Sequence, residues 1–222
     1  MKENSTFKMQ FHLLLFTVWN MLNDIHASIK KLKEISDEKG WNITQCGMYG
    51  GSSGANLALT YVYSRGTDVP YFHTEEIFPV RFVVDVVGPV DMHESAWYGD
   101  TEWLERDIMT LPGAGPLYAE LLTGAGNDPN MSEEEKEKYL NAMSPVWYVE
   151  KYGAVPTVMG YSLHDPVQNP NNGKRLNEYL DRKSIRNDLI IFPNSIHSFA
   201  NDPVEAQQFL DKTLEYAETY FN

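Results

Sequence analysis

Apolar residues follow two patterns along the chain, and the two patterns alternate. Four predominantly apolar runs predict buried strands, at 43–49, 80–87 (apart from Arg81 and Asp85), 155–161 and 189–192. Around these runs, apolar residues recur three and four positions apart, which is typical of helices with one buried face; the first, from about Leu22, ends at Gly40. This alternation indicates an α/β fold, with a mostly parallel sheet and helices on both of its faces.

The stretch from Gly88 to Glu150 interrupts the alternation. It is longer than a crossover between strands requires, it is rich in Trp, Tyr and Gly, and residues 132–135 form a capping box that starts a helix. We therefore expect a single domain, residues 1–222, with a helical cap insertion at about 88–150 over the functional site. Its aromatic residues either pack within the insertion or line a substrate pocket. The pocket candidates are Trp97, Trp103 and Trp147.

Residues 50–54 fit the pattern G-x-S-x-G, between a predicted strand and a predicted helix. In that setting the pattern describes a tight turn that exposes a serine hydroxyl at the edge of a sheet, with small residues two positions to either side. The alternative is a Gly-rich turn that has no catalytic role. A phosphate-binding loop is excluded because no Gly-Lys-Ser/Thr or G-x-G-x-x-G is present. The context favours Ser52 as a nucleophile, with the amide of Ser53 as an oxyanion-hole donor.

A serine nucleophile needs a base to take its proton and a carboxylate to orient that base. Asp165 follows the third predicted strand and His197 the fourth, which gives the chain order Ser, Asp, His. We expect one His197 ring nitrogen near the Ser52 hydroxyl and the other near an Asp165 carboxylate oxygen. The competing acids are Asp181, Asp188 and Asp202, of which the last has the position of a helix N-cap.

Composition and charge narrow the classes of function. The formal net charge of −13, without a cluster of Lys and Arg, argues against a nucleic-acid partner. The longest apolar run, Phe11 to Trp19, is too short to span a bilayer and no signal-peptide cleavage site follows it, so a cytoplasmic protein without a membrane partner is predicted. The histidines show no metal-ligand spacing, and we expect neither metal nor cofactor. Cys46, in a predicted strand, is interpreted as an inert core thiol.

Three segments, Gly50 to Leu59, Tyr161 to Val167 and Ala142 to Val146, resemble the α/β-hydrolase carboxylesterases of the hormone-sensitive-lipase and acetyl-xylan/feruloyl-esterase-like groups. The resemblance extends from about Leu22 to the C-terminus. It implies an α/β-hydrolase fold and a serine hydrolase that cleaves carboxylic esters of small or sugar alcohols through an acyl-enzyme. The implied partner is a small-molecule ester, and a serine peptidase of the same fold is the alternative enzyme.

Residues 1–21 do not resemble this family, whose members have further strands and a His-Gly-Gly-type loop of oxyanion amides there. We therefore expect that the N-terminal strands are missing and that the sheet starts with the strand at 43–49, or with an irregular strand from Phe11–Trp19. An exposed sheet edge would follow, through which a homo-oligomer could form. With Ser53 as the main oxyanion donor, activity would be weakened; the alternative is a catalytically impaired hydrolase-like fragment or binding domain.

Overall fold

The computed structural model describes residues 17–69, 75–93, 123–124 and 130–221. Its helices and strands are, in chain order, α1 Val18–Lys39, β1 Cys46–Gly51, α2 Ser53–Tyr63, β2 Val80–Val86, α3 Glu133–Ala142, α4 Pro145–Tyr152, β3 Thr157–Ser162, α5 Asn171–Arg182, β4 Asn187–Phe192 and α6 Pro203–Phe221. A helix follows each strand, except that β2 is followed by the longer stretch that the sequence marked as an insertion.

The strands form one parallel sheet in the order β1-β2-β3-β4. The register pairs Gly51 with Val86, and Ser162 with Phe192, so the strands end at nearly the same level. The loops that follow the strands therefore leave from one edge of the sheet. The predicted α/β fold with a parallel sheet is confirmed.

Helices cover both faces of this sheet. On the first face, Val83 of β2 and Met159 of β3 belong to a core that includes residues of α1, α2, α4 and α5. On the second face, Phe82 and Val84 of β2 pack with Phe209 of α6. Successive residues of a strand point to opposite faces, so β2 contributes to both cores. This explains why the sequence of β2 is a nearly continuous apolar run.

The first helix starts earlier than the sequence predicts. α1 begins at Val18 rather than near Leu22, so the end of the Phe11–Trp19 segment is helical and is not an irregular strand; residues 11–16 lie outside the described residues. Gly40 ends α1 as expected, with a φ of 67° in the left-handed region that glycine favours. Neither α1 nor any other described helix is long and apolar enough to span a membrane.

The first strand starts later than the sequence predicts. β1 begins at Cys46 rather than at Ile43, and Asn42 has a φ of 46°, which breaks an extended conformation just before the predicted start. Burial raises the pKa of the Cys46 thiol, which keeps it protonated and poorly nucleophilic. Among the described strands β1 pairs with β2 alone, and the assembly of copies through this edge stays a prediction.

Much of the predicted cap insertion, including Trp97 and Trp103, lies outside the described residues. Its last part consists of α3 and α4. α4 packs against α2 and α5, and so belongs to the helical layer on the first face of the sheet. Whether the rest of the insertion covers the functional site stays a prediction.

The N-terminus of α3 has the capping box that the sequence predicts. The Ser132 hydroxyl accepts a hydrogen bond from the Glu135 amide at 3.3 Å, and the Glu135 carboxylate accepts one from the Ser132 amide at 3.1 Å. Each side chain thus accepts a hydrogen bond from an amide of the helix start, and the Glu135 amide also donates to the Ser132 carbonyl at 3.0 Å.

Replacing Ser132 with Ala is expected to lower the free energy of unfolding by about 1 kcal/mol. The Glu135 amide loses its side-chain acceptor, and the Glu135 carboxylate loses the hydrogen bond that the Ser132 hydroxyl donates at 2.8 Å. Urea denaturation of both proteins measures the difference. Ser28→Ala is the matched control: Ser28 is an exposed serine inside α1 whose hydroxyl donates to the Asp24 carbonyl, and alanine is the better helix former there. Equal losses in the two variants would contradict a capping role for Ser132.

Candidate active site

Ser52 occupies the turn between β1 and α2. Its φ of 54° and ψ of −125° lie in a region that residues with a side chain rarely adopt. The Ser52 amide donates a hydrogen bond to the Val86 carbonyl of β2 at 2.7 Å. This bond anchors the strained turn to the neighbouring strand at the edge where the strands end.

Gly50 allows this turn to be so tight. A Cβ at position 50 would lie 2.2 Å from the Gly54 carbonyl oxygen and 2.6 Å from the Ala55 nitrogen. Position 54 is different, because a Cβ there would have no neighbour within 4 Å. The predicted need for a small residue on both sides of Ser52 is therefore correct for Gly50 and wrong for Gly54.

Ser53 is the first residue of α2. The first amides of a helix have no intrahelical acceptor, and they carry the partial positive charge of the helix N-terminus. The helix thus presents the Ser53 amide next to the Ser52 hydroxyl, where a negatively charged oxygen could accept its hydrogen bond.

His197 connects Ser52 to Asp165. The His197 Nε2 atom lies 2.9 Å from the Ser52 Oγ atom, and the Nδ1 atom lies 2.6 Å from the Asp165 Oδ2 atom. The three side chains come from loops after β1, β3 and β4, at the edge where these strands end. The Asp165 side chain is 1% exposed and that of His197 is 26% exposed, so the carboxylate is shielded from water while the imidazole is partly exposed.

Backbone amides hold the Asp165 carboxylate in this orientation. Its Oδ1 atom accepts hydrogen bonds from the amides of Val167 at 2.8 Å and Gln168 at 3.0 Å. Because these bonds engage one carboxylate oxygen, the other is directed at His197. A carboxylate oxygen can only accept, so this contact favours the His197 tautomer with its hydrogen on Nδ1, in which Nε2 can accept a hydrogen bond from the Ser52 hydroxyl.

The loop that carries His197 is held on two sides. The Ser162 hydroxyl, at the end of β3, donates to the Ser198 carbonyl at 2.9 Å. The Phe199 ring stacks on Phe192 of β4, with 3.6 Å between the ring centroids and 2° between the ring planes. These contacts restrict the imidazole to a narrow range of positions relative to the sheet.

The competing carboxylates are engaged elsewhere. Asp202 has the N-cap position of α6, since its carbonyl accepts from the Ala206 amide at 2.9 Å, but its carboxylate accepts from the Asn194 amide at 3.0 Å and from the Asn194 side chain at 2.7 Å. The Asp188 carboxylate accepts a hydrogen bond from the Tyr216 hydroxyl, and the Asp181 carboxylate accepts one from the Asn187 side chain. The carboxylate that contacts His197 is that of Asp165.

Trp147 lies on α4 and packs against other aromatic rings. Its ring meets that of Tyr148 edge to face, with 5.0 Å between centroids, and that of Tyr152 at 5.7 Å. The Lys151 ammonium lies 4.7 Å from the centre of the Trp147 ring. These contacts describe packing within the helical layer, and the predicted pocket role of Trp147 stays a prediction.

No metal centre is indicated in the described ranges, where no group of three or more His, Cys, Asp or Glu has a suitable arrangement. Both ring nitrogens of His197 are used, one by Ser52 and one by Asp165.

A buried polar cluster near the Ser52 turn was missed by sequence reasoning. Asp85 of β2 accepts from the Gly88 amide at 2.9 Å and contacts the Tyr161 hydroxyl at 2.7 Å. Asp85 is 0% and Tyr161 1% exposed. The one signal in the sequence was a carboxylate inside an otherwise apolar strand, and the pattern does not show what that carboxylate contacts.

The parallel sheet carries a strained serine between β1 and α2, and a carboxylate and an imidazole on the loops after β3 and β4. This arrangement is that of the α/β-hydrolase fold. The BD-FAE family model, an esterase-like α/β-hydrolase domain, matches residues 16–180. The chain belongs to this family.

Solved esterase structures have the same fold. Est2 from Thermogutta terrifontis, bound to propionate, is 15% identical and has a TM-score of 0.60, over 91% of this chain and 66% of its own. A truncated carbohydrate esterase from gut microbiota is 19% identical and has a TM-score of 0.61; the match covers 90% of this chain and 68% of the esterase. Esterase B from Lactobacillus rhamnosis is 14% identical and has a TM-score of 0.67; the match covers 91% of this chain and 62% of the esterase.

The chain thus spans about two thirds of the length of these esterases. A comparison with the curated proteins found no match.

Proposed function

We propose that the protein hydrolyses carboxylic esters through an acyl-enzyme on Ser52. The observation that carries the proposal is a pair of hydrogen-bond contacts that His197 makes, with Ser52 Oγ at 2.9 Å and with Asp165 Oδ2 at 2.6 Å. A nucleophile, a base and a carboxylate that orients the base are the parts that acyl transfer requires.

In the first half-reaction, His197 Nε2 takes the Ser52 proton while Oγ forms a bond to the ester carbonyl carbon. The carbonyl oxygen becomes negatively charged and accepts a hydrogen bond from the Ser53 amide. The tetrahedral intermediate collapses as the bond to the alcohol oxygen breaks. The protonated His197 gives its proton to that oxygen, so the alcohol leaves neutral and the acyl group stays on Ser52.

In the second half-reaction, a water molecule takes the place of the alcohol. His197 Nε2 accepts a proton from the water as the water oxygen attacks the acyl carbon, and it returns this proton to Ser52 Oγ as the acyl bond breaks. Asp165 stays ionised throughout and stabilises the imidazolium that forms in each half-reaction. The products are a carboxylic acid and the regenerated serine.

Short acyl esters of small or sugar alcohols are the proposed substrate class. Membership of an esterase-like family supports ester chemistry. The propionate bound to Est2 supports a short acyl group, and the neighbour described as a carbohydrate esterase supports a sugar alcohol. No metal or cofactor takes part in the proposed steps.

A fluorophosphonate probe tests the proposal, because it forms a bond from Ser Oγ to phosphorus as fluoride leaves. We expect labelling of the folded protein at Ser52, located by mapping the modified peptide. His197→Ala should slow labelling by on the order of 10³-fold or more, since no base then takes the proton. His164→Ala is the matched control: this exposed histidine precedes Asp165, and labelling should continue at nearly the unaltered rate.

Labelling at another residue, or equal labelling of the two histidine variants, would contradict the proposed nucleophile and base. Labelling at Ser52 without turnover of p-nitrophenyl acetate would favour the impaired hydrolase-like domain. Such a result would place the deficiency in the stabilisation of the oxyanion, which phosphonate labelling needs less than ester turnover does.

A further inference from the structure

The Asp85 carboxylate, the Tyr161 hydroxyl and the backbone of Gly88 form a closed cluster of polar atoms next to the Ser52 turn. The Asp85 Oδ1 atom accepts from the Gly88 amide at 2.9 Å. The Tyr161 hydroxyl oxygen lies 2.7 Å from the Asp85 Oδ2 atom and 2.5 Å from the Gly88 carbonyl oxygen. Since Asp85 and Tyr161 are fully buried, the cluster has to be satisfied by its own atoms.

The number of protons decides the charge of this cluster. The Tyr161 hydroxyl has one proton but lies within hydrogen-bond distance of two acceptors, Asp85 Oδ2 and the Gly88 carbonyl. If Asp85 were ionised, one of these short contacts would join two oxygen atoms without a proton between them. If Oδ2 carries a proton, it donates to the Tyr161 oxygen, the Tyr161 proton goes to the Gly88 carbonyl, and every short contact is a hydrogen bond.

We propose that Asp85 is a neutral carboxylic acid that positions the Ser52 turn through Tyr161 and Gly88. The inference rests on the proposed function in that Ser52 is the nucleophile being positioned. Asp85 itself does not touch the reacting atoms and is a positioning residue.

The link to Ser52 runs through Val87, which is strained, and the carbonyl of Val86. Val87 has a φ of 49°, a rare conformation for a β-branched residue, and lies between Asp85 and Gly88, which the cluster joins. The Val86 carbonyl that accepts from the Ser52 amide immediately precedes it. The Val87 amide of the same peptide donates to the Gly160 carbonyl at 2.9 Å. The cluster closes the chain around Val87 from the other side, and together these contacts fix the direction of the Val86 carbonyl and thereby the position of Ser52.

Gly88 packs tightly between the cluster and the first turn of α2. A Cβ on Gly88 would lie 2.6 Å from the Asp85 Oδ1 atom and 2.7 Å from the Ala55 Cβ atom. A change at Asp85 therefore shifts Gly88 against the helix that carries Ser53. Both groups proposed to act on the ester, the Ser52 hydroxyl and the Ser53 amide, lie next to this contact.

The surroundings of Asp85 agree with a neutral acid. Burial raises its pKa to about 7, partly opposed by the hydrogen bonds from Tyr161 and Gly88. The titratable groups around it are the phenols of Tyr161 from β3 and Tyr63 from α2, and Gly50 lies opposite on β1. The Asp165 carboxylate also acts on Tyr161. Among the described residues no Lys, Arg or His forms an ion pair with Asp85.

Asp85→Asn is the decisive variant, because an amide reproduces the neutral acid: its oxygen accepts from Gly88 and its nitrogen donates to Tyr161. We expect phosphonate labelling of Ser52 at nearly the unaltered rate at pH 6. Asp85→Ala should slow the maximal labelling rate by up to about 100-fold with little change in probe affinity, since the turn loses its support. If Asp85→Asn is labelled as slowly as Asp85→Ala, the proposal is overturned.

The dependence of labelling on pH gives a second readout. As the pH rises above about 7, the unaltered protein loses the Asp85 proton, and its labelling rate should fall relative to that of Asp85→Asn. A constant ratio of the two rates from pH 6 to pH 9 would contradict a neutral Asp85.

Stability measurements test the proton without any use of Ser52. The pKa of Asp85 is raised from 3.8 to about 7 in the folded chain, so the folded state binds this proton more tightly. Relative to Asp85→Asn, the folding equilibrium constant should be highest below pH 3.8 and fall about tenfold per pH unit up to about pH 7, then level off. Parallel stability curves for the two proteins would overturn the proposal.

Infrared spectroscopy at pH 6 completes the test. The unaltered protein should show the carbonyl stretch of a protonated carboxylic acid, and Asp85→Asn should lack it; absence of this band from both would overturn the proposal. If the band and the stability difference are found but Ser52 does not react with phosphonate, the proposed function fails while the neutral Asp85 stands.

Discussion

Ser52→Ala is expected to lower the turnover of p-nitrophenyl acetate by on the order of 10³-fold or more. Without Oγ, His197 Nε2 loses the hydroxyl that lies 2.9 Å away, and no acyl-enzyme can form at this position. The loss should appear in kcat with little change in KM, because Oγ bonds to the substrate carbon only as the transition state is reached.

Ser198→Ala is the matched control for this prediction. Ser198 is an exposed serine next to His197, and its side chain makes a long contact of 3.5 Å with the Ala200 amide. Its carbonyl, which accepts from Ser162, is unaffected by the substitution. A drop in kcat for Ser198→Ala as large as that for Ser52→Ala would show that removal of any serine hydroxyl near His197 lowers turnover, and would contradict a specific role for Ser52 Oγ.

Gly50→Ala is expected to lower the free energy of unfolding by about 3 kcal/mol or more, and to abolish labelling of Ser52 even where the protein still folds. The new Cβ would lie 2.2 Å from the Gly54 carbonyl oxygen and 2.4 Å from its carbon. These are backbone atoms at the start of α2, so the clash can be relieved only by opening the turn. Urea denaturation and phosphonate labelling measure the two effects.

Gly54→Ala is the control with the opposite expected sign. A Cβ at Gly54 would meet no atom within 4 Å, and the residue is in the first turn of α2. Alanine costs less backbone entropy in a helix than glycine, so this variant should be as stable as the unaltered protein or more stable by up to about 1 kcal/mol. Similar losses in the two glycine variants would contradict the geometry of the turn.

These glycines show how far the sequence could predict the site. The motif at 50–54, placed between a predicted strand and a predicted helix, was enough to predict the tight turn at Ser52. The sequence could not show that Gly50 faces the Gly54 carbonyl while position 54 faces open space. That difference depends on the direction of each Cα–Cβ bond in the folded turn, and a residue pattern does not contain it.

Long-range polar contacts were beyond the sequence for a similar reason. The order of Ser52, Asp165 and His197 could be inferred because each follows a strand and parallel strands end at one edge. Asp85 and Tyr161 lie inside strands, so their contact depends on which face each side chain occupies and on the register of β2 with β3. Continuous apolar runs predict that a strand is buried on both faces but leave that register open.

Trapping the acyl-enzyme tests the proposed chemistry most directly. The protein is mixed with p-nitrophenyl acetate, quenched in acid before turnover is complete, digested and analysed by mass spectrometry with fragmentation of the peptide around residues 50–54. We predict one acetyl group on Ser52 in the unaltered protein and none in Ser52→Ala. An acetyl group on another residue, or steady hydrolysis by Ser52→Ala at the unaltered rate, would contradict the assignment of Ser52 as the nucleophile.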